Sequence, residues 1–400
     1  GADTADTNAA DTALPDTAPD TAGADGTDTA GDTAPDTGGP DTAPDTSADS
    51  GGPDTDSDAA SPACGPDDRQ ACLYRTGRSH EVELHEPPGL TYTDLIGETR
   101  NVNIVIYRPV GAPTPMPVVL LSHGGASGKS DPMKSMENWA PVLAEAGYFA
   151  VAIAHEGRDE SSYDALCEEL DVNPLHECGI KISWDRPNDV ARVLAFLDER
   201  SRTGQFAGLF DMERIAHMGH SAGASAALVS IGATRNFTCA LPFGFEDPDQ
   251  DCRVEDLVSQ ALDEIDVAVS MSPQGPGQEG FMVESFATVT RPFLMGTGAN
   301  DGSEGEPANR AALFPLVPAG DKYKLFVDDQ GAKHTLFEGS LEACTPIAGQ
   351  QKCTQMRAAI FSTALAFLDA YMLDRAAARS WLASDDLETA GSGLFDLERR

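Results

Sequence analysis

Seven short apolar runs that alternate with segments of helical periodicity constrain the fold of this 400-residue chain more than any other feature. The runs cover residues 102–107, 118–122, 149–154, 214–218, 267–271, 292–296 and 323–327, each the length of a strand and most rich in β-branched residues. Between them, residues 136–146, 187–200, 222–231 and 356–373 read as helices. In the second of these, Val190, Val193, Leu194 and Leu197 recur at helical spacing, and Pro187 suits a first-turn position. Strands separated by helices pair in parallel and are buried on both faces, so the expected class is α/β, a mostly parallel central sheet with helices on both faces. In such a sheet the functional loops gather at the carboxyl ends of the strands.

The run at 214–218 leads into Gly219-His220-Ser221-Ala222-Gly223, which fits G-x-S-x-G, and then into an alanine-rich helical stretch. A nucleophilic serine must be held at the tip of a sharp strand-to-helix turn, and small flanking residues allow that turn. A hydrolase built this way needs a carboxylate and then a histidine later in the chain. Beyond the motif the sequence holds one histidine, His334, on the loop after the run 323–327. The carboxylate has two candidates. Asp301 lies on the turn-forming stretch 297–302 after the run 292–296, and Asp328 ends the run before His334. Asp301 is the first choice. Upstream, the run ending at Ser122 opens into His123-Gly124-Gly125-Ala126, where glycines let backbone N–H groups approach a substrate oxygen. The expected oxyanion donors are the N–H groups of Gly125 and Ala222. His123 precedes the serine and reads as a residue that shapes this loop.

The chain resembles the α/β-hydrolases, and within them the dienelactone-hydrolase-like group that includes platelet-activating-factor acetylhydrolases. The resemblance rests on Leu121-Ser122-His123-Gly124-Gly125, on residues 139–148, on Asp185-Arg186-Pro187-Asn188-Asp189-Val190, on the serine turn, and on Asp321-Lys322-Tyr323-Lys324. It covers roughly residues 101–373. It implies an α/β-hydrolase fold and hydrolysis of carboxylic esters through a Ser221–His334–Asp301 triad, without cofactor or metal. Two other functions stay open at this point, a cutinase-like polyester hydrolase and a non-catalytic cell-surface binding module on the same fold.

The first sixty residues belong to none of this. They hold fifteen aspartates, no lysine, arginine or glutamate, no aromatic residue and a single leucine, Leu14. Such a stretch cannot bury enough apolar surface to offset chain entropy, so residues 1–62 are expected to be a disordered linker and 63–400 the folded domain. Insertions near 157–184 and 237–257 are expected to border the pocket. Of the formal net charge of −38, −23 remains without the linker. A surface this acidic excludes nucleic acid as a partner. The aspartate repeats lack a calcium loop's glycine and distal glutamate, so no metal is expected. Eight cysteines fall in four close pairs, Cys64 and Cys72, Cys167 and Cys178, Cys239 and Cys252, Cys344 and Cys353, which reads as local disulfides in an exported protein. A secreted or surface-tethered monomer is therefore expected, with a lipid anchor ahead of the linker as one form of tether and a small or polymeric ester as its substrate.

Overall fold

The computed structural model describes residues 64–65, 67–93, 99–125, 131–155, 185–236, 253–302, 305–341 and 350–400. The chain divides into two units, Gly1–Ser57 and Asp58–Arg400, and every described residue belongs to the second. The expected linker at 1–62, the insertion at 157–184 and the greater part of that at 237–257 lie outside the described residues.

All seven apolar runs form strands of one ten-stranded sheet. In chain order its members are β1 (Glu81–His85), β2 (Leu90–Thr93), β3 (Thr99–Val110), β4 (Met116–Ser122), β5 (Phe149–His155), β6 (Phe210–His220), β9 (Val267–Met271), β10 (Phe293–Gly298), β11 (Lys322–Val327) and β12 (Phe395–Arg399). A separate antiparallel pair joins β7 (Thr234–Asn236) to β8 (Leu257–Ser259). The large sheet runs β1-β3-β5-β4-β6-β9-β10-β11-β12, with β2 also on β3. From β5 to β11 every pairing is parallel. Antiparallel strands finish both edges, β3 against β5 and β12 against β11.

Parallel strands covered on both faces need apolar residues at successive positions, and β4, β5 and β9 are buried at every residue. Their side chains divide between two cores. Val119 and Leu121 of β4 meet α1 (Ala140–Glu145), α6 (Gln350–Met372) and α7 (Ala376–Ala383) on one face. Val118 and Leu120 meet α2 (Arg186–Arg202) and α3 (Ala222–Ser230) on the other. The remaining helices are α4 (Glu306–Ala312), α5 (His334–Phe337) and α8 (Asp386–Gly391). The fold class is thus α/β with a mostly parallel sheet and helices around it.

The helix expected over 136–146 is shorter than its periodicity suggests. Met136 takes φ +52°, which cannot continue an α-helix, so α1 starts at Ala140, with Pro141 in its first turn. Cys64 and Cys72 form a disulfide, as their spacing suggests, and Cys353 is also disulfide-bonded. The other cysteines lie outside the described residues. Among the described residues no helix is long and apolar enough to cross a membrane, and no cluster of ligating side chains could hold a metal ion.

The chain leaves β4 toward β5 on one side and later returns to β6 on the other. The carboxyl ends of β4 and β6 are therefore a point where strand order reverses, the position at which open α/β sheets bind ligands.

Candidate active site

Ser221 stands where β6 becomes α3, at φ +53° and ψ −121°. A residue with a Cβ reaches that region only under strain, and such strain persists where surrounding structure enforces it. Two close approaches enforce it here. A Cβ on Gly219 would lie 2.2 Å from the carbonyl of Gly223, because the first turn of α3 folds back over the end of β6. A Cβ on Gly223 would lie 2.0 Å from the backbone oxygen of Ser122, because the same turn presses on the end of β4. The glycines of the motif are thus fixed by backbone packing. The serine N–H donates to the Met271 carbonyl (2.9 Å), and its carbonyl accepts the first bond of α3 from Ser225 (3.0 Å). Ala222, the first residue of α3 and 4% exposed, carries an N–H with no acceptor within the helix.

Asp301 and His334, 33 residues apart, are brought together by the adjacent ends of β10 and β11. The Nδ1–H of His334 donates to Asp301 Oδ1 (2.7 Å), while Thr297 donates to Oδ2 (2.8 Å). Asp301 is fully buried, and His334 keeps 30% of its side chain exposed. Burial alone would raise the Asp301 carboxyl, but the hydrogen bond from His334 and the guanidinium of Arg310, 3.7 Å away, outweigh it and hold it below its ordinary value. Arg310 also donates to the carbonyls of Ser272 (2.6 Å), Pro273 (3.0 Å) and Asp301 (3.2 Å), tying the ends of β9 and β10 together. An ionised carboxylate on Nδ1 selects the tautomer in which Nε2 of His334 is a free base. Asp328, the second candidate for the acid, is exposed at the end of β11 and is not the partner of His334.

The residue before the serine meets His334 directly. His220 donates from Nε2 to the backbone carbonyl of His334 (3.0 Å), and the two rings lie 4.5 Å apart. Burial first, and the neighbouring His334 second, push the His220 imidazole down to about 3, so it is neutral.

The loop after β4 completes the neighbourhood. A Cβ on Gly124 would lie 3.2 Å from the Cβ of Ser221 and 2.7 Å from Nδ1 of His220, so the loop rests on the serine turn. His123 is buried and its Nδ1–H donates to the Gly124 carbonyl (2.8 Å). Gly125, at φ +81°, is exposed at the loop's outer end. Arg186, the first residue of α2, donates to the carbonyls of both His123 and Gly125.

Beneath this loop runs a buried polar chain that sequence reading misses. Asp189 accepts from Nε and Nη2 of Arg100 (2.7 and 2.8 Å), from the Tyr92 hydroxyl (2.8 Å) and from His155 Nδ1–H (2.7 Å). Burial raises its carboxyl, yet these donors hold it below the usual range. With Nδ1 donating, His155 Nε2 accepts the Ser122 hydroxyl proton (2.8 Å), and Ser122 Oγ accepts from His217 Nε2–H (2.8 Å). His217 Nδ1 in turn faces Ser230 Oγ (3.0 Å), whose proton is shared with the Ala227 carbonyl (2.7 Å). An ionised Asp189 thus sets every proton along the line. Burial pushes His155 down to about 4 and His217 to about 3, so both are neutral. The available signal was polar residues closing otherwise apolar strands, Ser122 at the end of β4 and His155 at the end of β5.

No protein-family model matches this chain, and no curated protein matches it.

Proposed function

We propose that the chain is a serine hydrolase of the α/β-hydrolase fold that cleaves carboxylic esters without a cofactor. The observation that carries this reading is Ser221, held at a strained positive φ at the strand-to-helix turn, with its neighbour His220 hydrogen-bonded to His334, whose Nδ1 is bound to a buried carboxylate.

His334 Nε2 takes the proton of Ser221 as the serine oxygen attacks the ester carbonyl, and Asp301 keeps the ring oriented and stabilises the imidazolium. The N–H of Ala222 and that of Gly125 hold the oxyanion of the tetrahedral intermediate. The intermediate collapses with loss of the alcohol, which takes the proton from His334. Water, deprotonated by the same nitrogen, then attacks the acyl-serine and releases the acid. An exported, disulfide-bonded esterase fits the Cys64–Cys72 bridge.

The test is hydrolysis of p-nitrophenyl esters from acetate to palmitate, with Ser221→Ala alongside and a fluorophosphonate as covalent probe. The expected result is activity and labelling that both vanish in the mutant. Labelling that survives at this site without Ser221 would sink the assignment, and a wild type inert to every ester and to the probe would sink the hydrolase reading.

A further inference from the structure

In the loop that would supply the Gly125 N–H, three successive carbonyls are each held by a side chain. Arg186 donates to His123 and Gly125 through two arms of one guanidinium, and His123 donates to Gly124 (2.8 Å). In a trans peptide the N–H points opposite to the carbonyl of the same unit, so holding the Gly124 carbonyl also aims the Gly125 N–H. The His123 ring packs 5.4 Å from that of His155, which Asp189 and Ser122 fix from both ends. Arg186 and Asp189 stand three residues apart in the first turn of α2, so one turn of helix anchors both supports. Arg186 is 2% exposed, and the loop it holds lies against Ser221.

We infer that Arg186 is a positioning residue for the hydrolytic reaction, its guanidinium fork holding the carbonyls of His123 and Gly125 on either side of the Gly124–Gly125 peptide, whose carbonyl His123 holds, so that the loop N–H meets the developing oxyanion. The inference rests on the esterase reading above. Arginine suits the task because its rigid fork reaches two acceptors at once, whereas a lysine ammonium is a single point charge. A displacement of the loop by a fraction of an ångström to 1 Å weakens transition-state binding and leaves ground-state binding nearly intact.

The experiment compares wild type with Arg186→Gln and Arg186→Lys on a p-nitrophenyl ester and on its thionoester, whose larger sulfur fits an oxyanion hole poorly. The expected result is a kcat for the ester roughly a hundredfold lower in Arg186→Gln with KM within about threefold, the scale of losing one oxyanion donor. The ester-to-thionoester rate ratio should fall in both variants, because a hole already displaced discriminates less. A merely structural role would lower the amount of folded enzyme without moving that ratio. Folded variants with unchanged kcat, or with an unchanged ratio, would overturn the inference. Arg186→Lys, which keeps the charge in its buried site, decides the matter if Arg186→Gln does not fold, and failure of both to fold makes Arg186 a residue of the fold alone and also overturns it. An active wild type with indifferent Arg186 variants refutes this inference only, whereas a wild type lacking Ser221-dependent activity refutes the hydrolase reading together with it.

Discussion

Lowering the pH from 7.5 to 5 should lower the stability of the folded domain by several kcal/mol, for a reason independent of its chemistry. His155, His217 and His220 are buried and neutral, with their imidazoles pushed down to about 4, 3 and 3. In the unfolded chain each takes a proton at about pH 6.5. The unfolded state therefore binds more protons than the native one throughout this window, and stability rises with pH. The stabilisation is complete above about pH 6.5 and is lost as pH falls toward the native values of 4 and 3. At pH 5 the loss is about 2 kcal/mol for each histidine, or about 6 kcal/mol together, against a typical total of about 5–15 kcal/mol. Asp189 and Asp301, held below their ordinary values, act later, since their contribution disappears only under the usual carboxylate range. The assay is urea unfolding at both pH values and fixed ionic strength, read by the fluorescence of buried Trp139 and Trp381. His217→Gln should be less stable at pH 7.5 yet lose about 2 kcal/mol less than wild type on going to pH 5. A wild type that loses under about 2 kcal/mol, or a His217→Gln variant with an undiminished loss, would refute the reasoning.

The site makes two further predictions. Asp301→Asn should leave the fold nearly unchanged but lower kcat on p-nitrophenyl esters by about 10³–10⁴, because the amide no longer selects the Nδ1–H tautomer of His334; a loss under tenfold would remove Asp301 from the triad. Gly223→Ala places a Cβ 2.0 Å from the backbone oxygen of Ser122 and 2.7 Å from that of His123. Neither atom can yield without moving the end of β4 or the loop that follows it, so the expected cost is about 3 kcal/mol or more together with loss of fluorophosphonate labelling. A Gly223→Ala protein that labels and melts like wild type would show that this close approach is not made.

The strands most plainly legible in the sequence are those whose environment is the same at every residue. β4, β5 and β9 are buried throughout, so unbroken apolar runs announce them, and the serine turn is legible because its glycines face backbone on both sides. Strands with one open side gave no such signal. β1 and β12, at the two edges of the sheet, carry mixed sequences, Glu81-Val82-Glu83-Leu84-His85 with exposed and half-buried residues and Phe395-Asp396-Leu397-Glu398-Arg399 with exposed residues among buried ones. Their place in the sheet comes from backbone pairing with β3 and β11, which sequence composition does not encode.

Side-chain chemistry divides in the same way. The order of Ser221, Asp301 and His334 along the chain, each following an apolar run that forms a strand, could be read from the sequence by itself. Which of Asp301 and Asp328 meets His334 was decided only by tertiary structure. Both follow strands, and it is the pairing of β10 with β11 that brings Asp301 within 2.7 Å of the imidazole while Asp328 faces solvent. The same holds for Arg186 beneath the glycine loop, for Asp189 beneath His155, and for Asp369, whose carboxylate accepts from Tyr74 (2.7 Å), Arg78 (2.5 Å) and Tyr148 (2.5 Å), all more than 200 residues away in the chain. Local sequence determines what backbone a segment can adopt, since sterics and burial act residue by residue. Which buried charge meets which donor is settled by the packing of distant strands and helices, because a polar group removed from water must find its partner among whatever the fold brings near it.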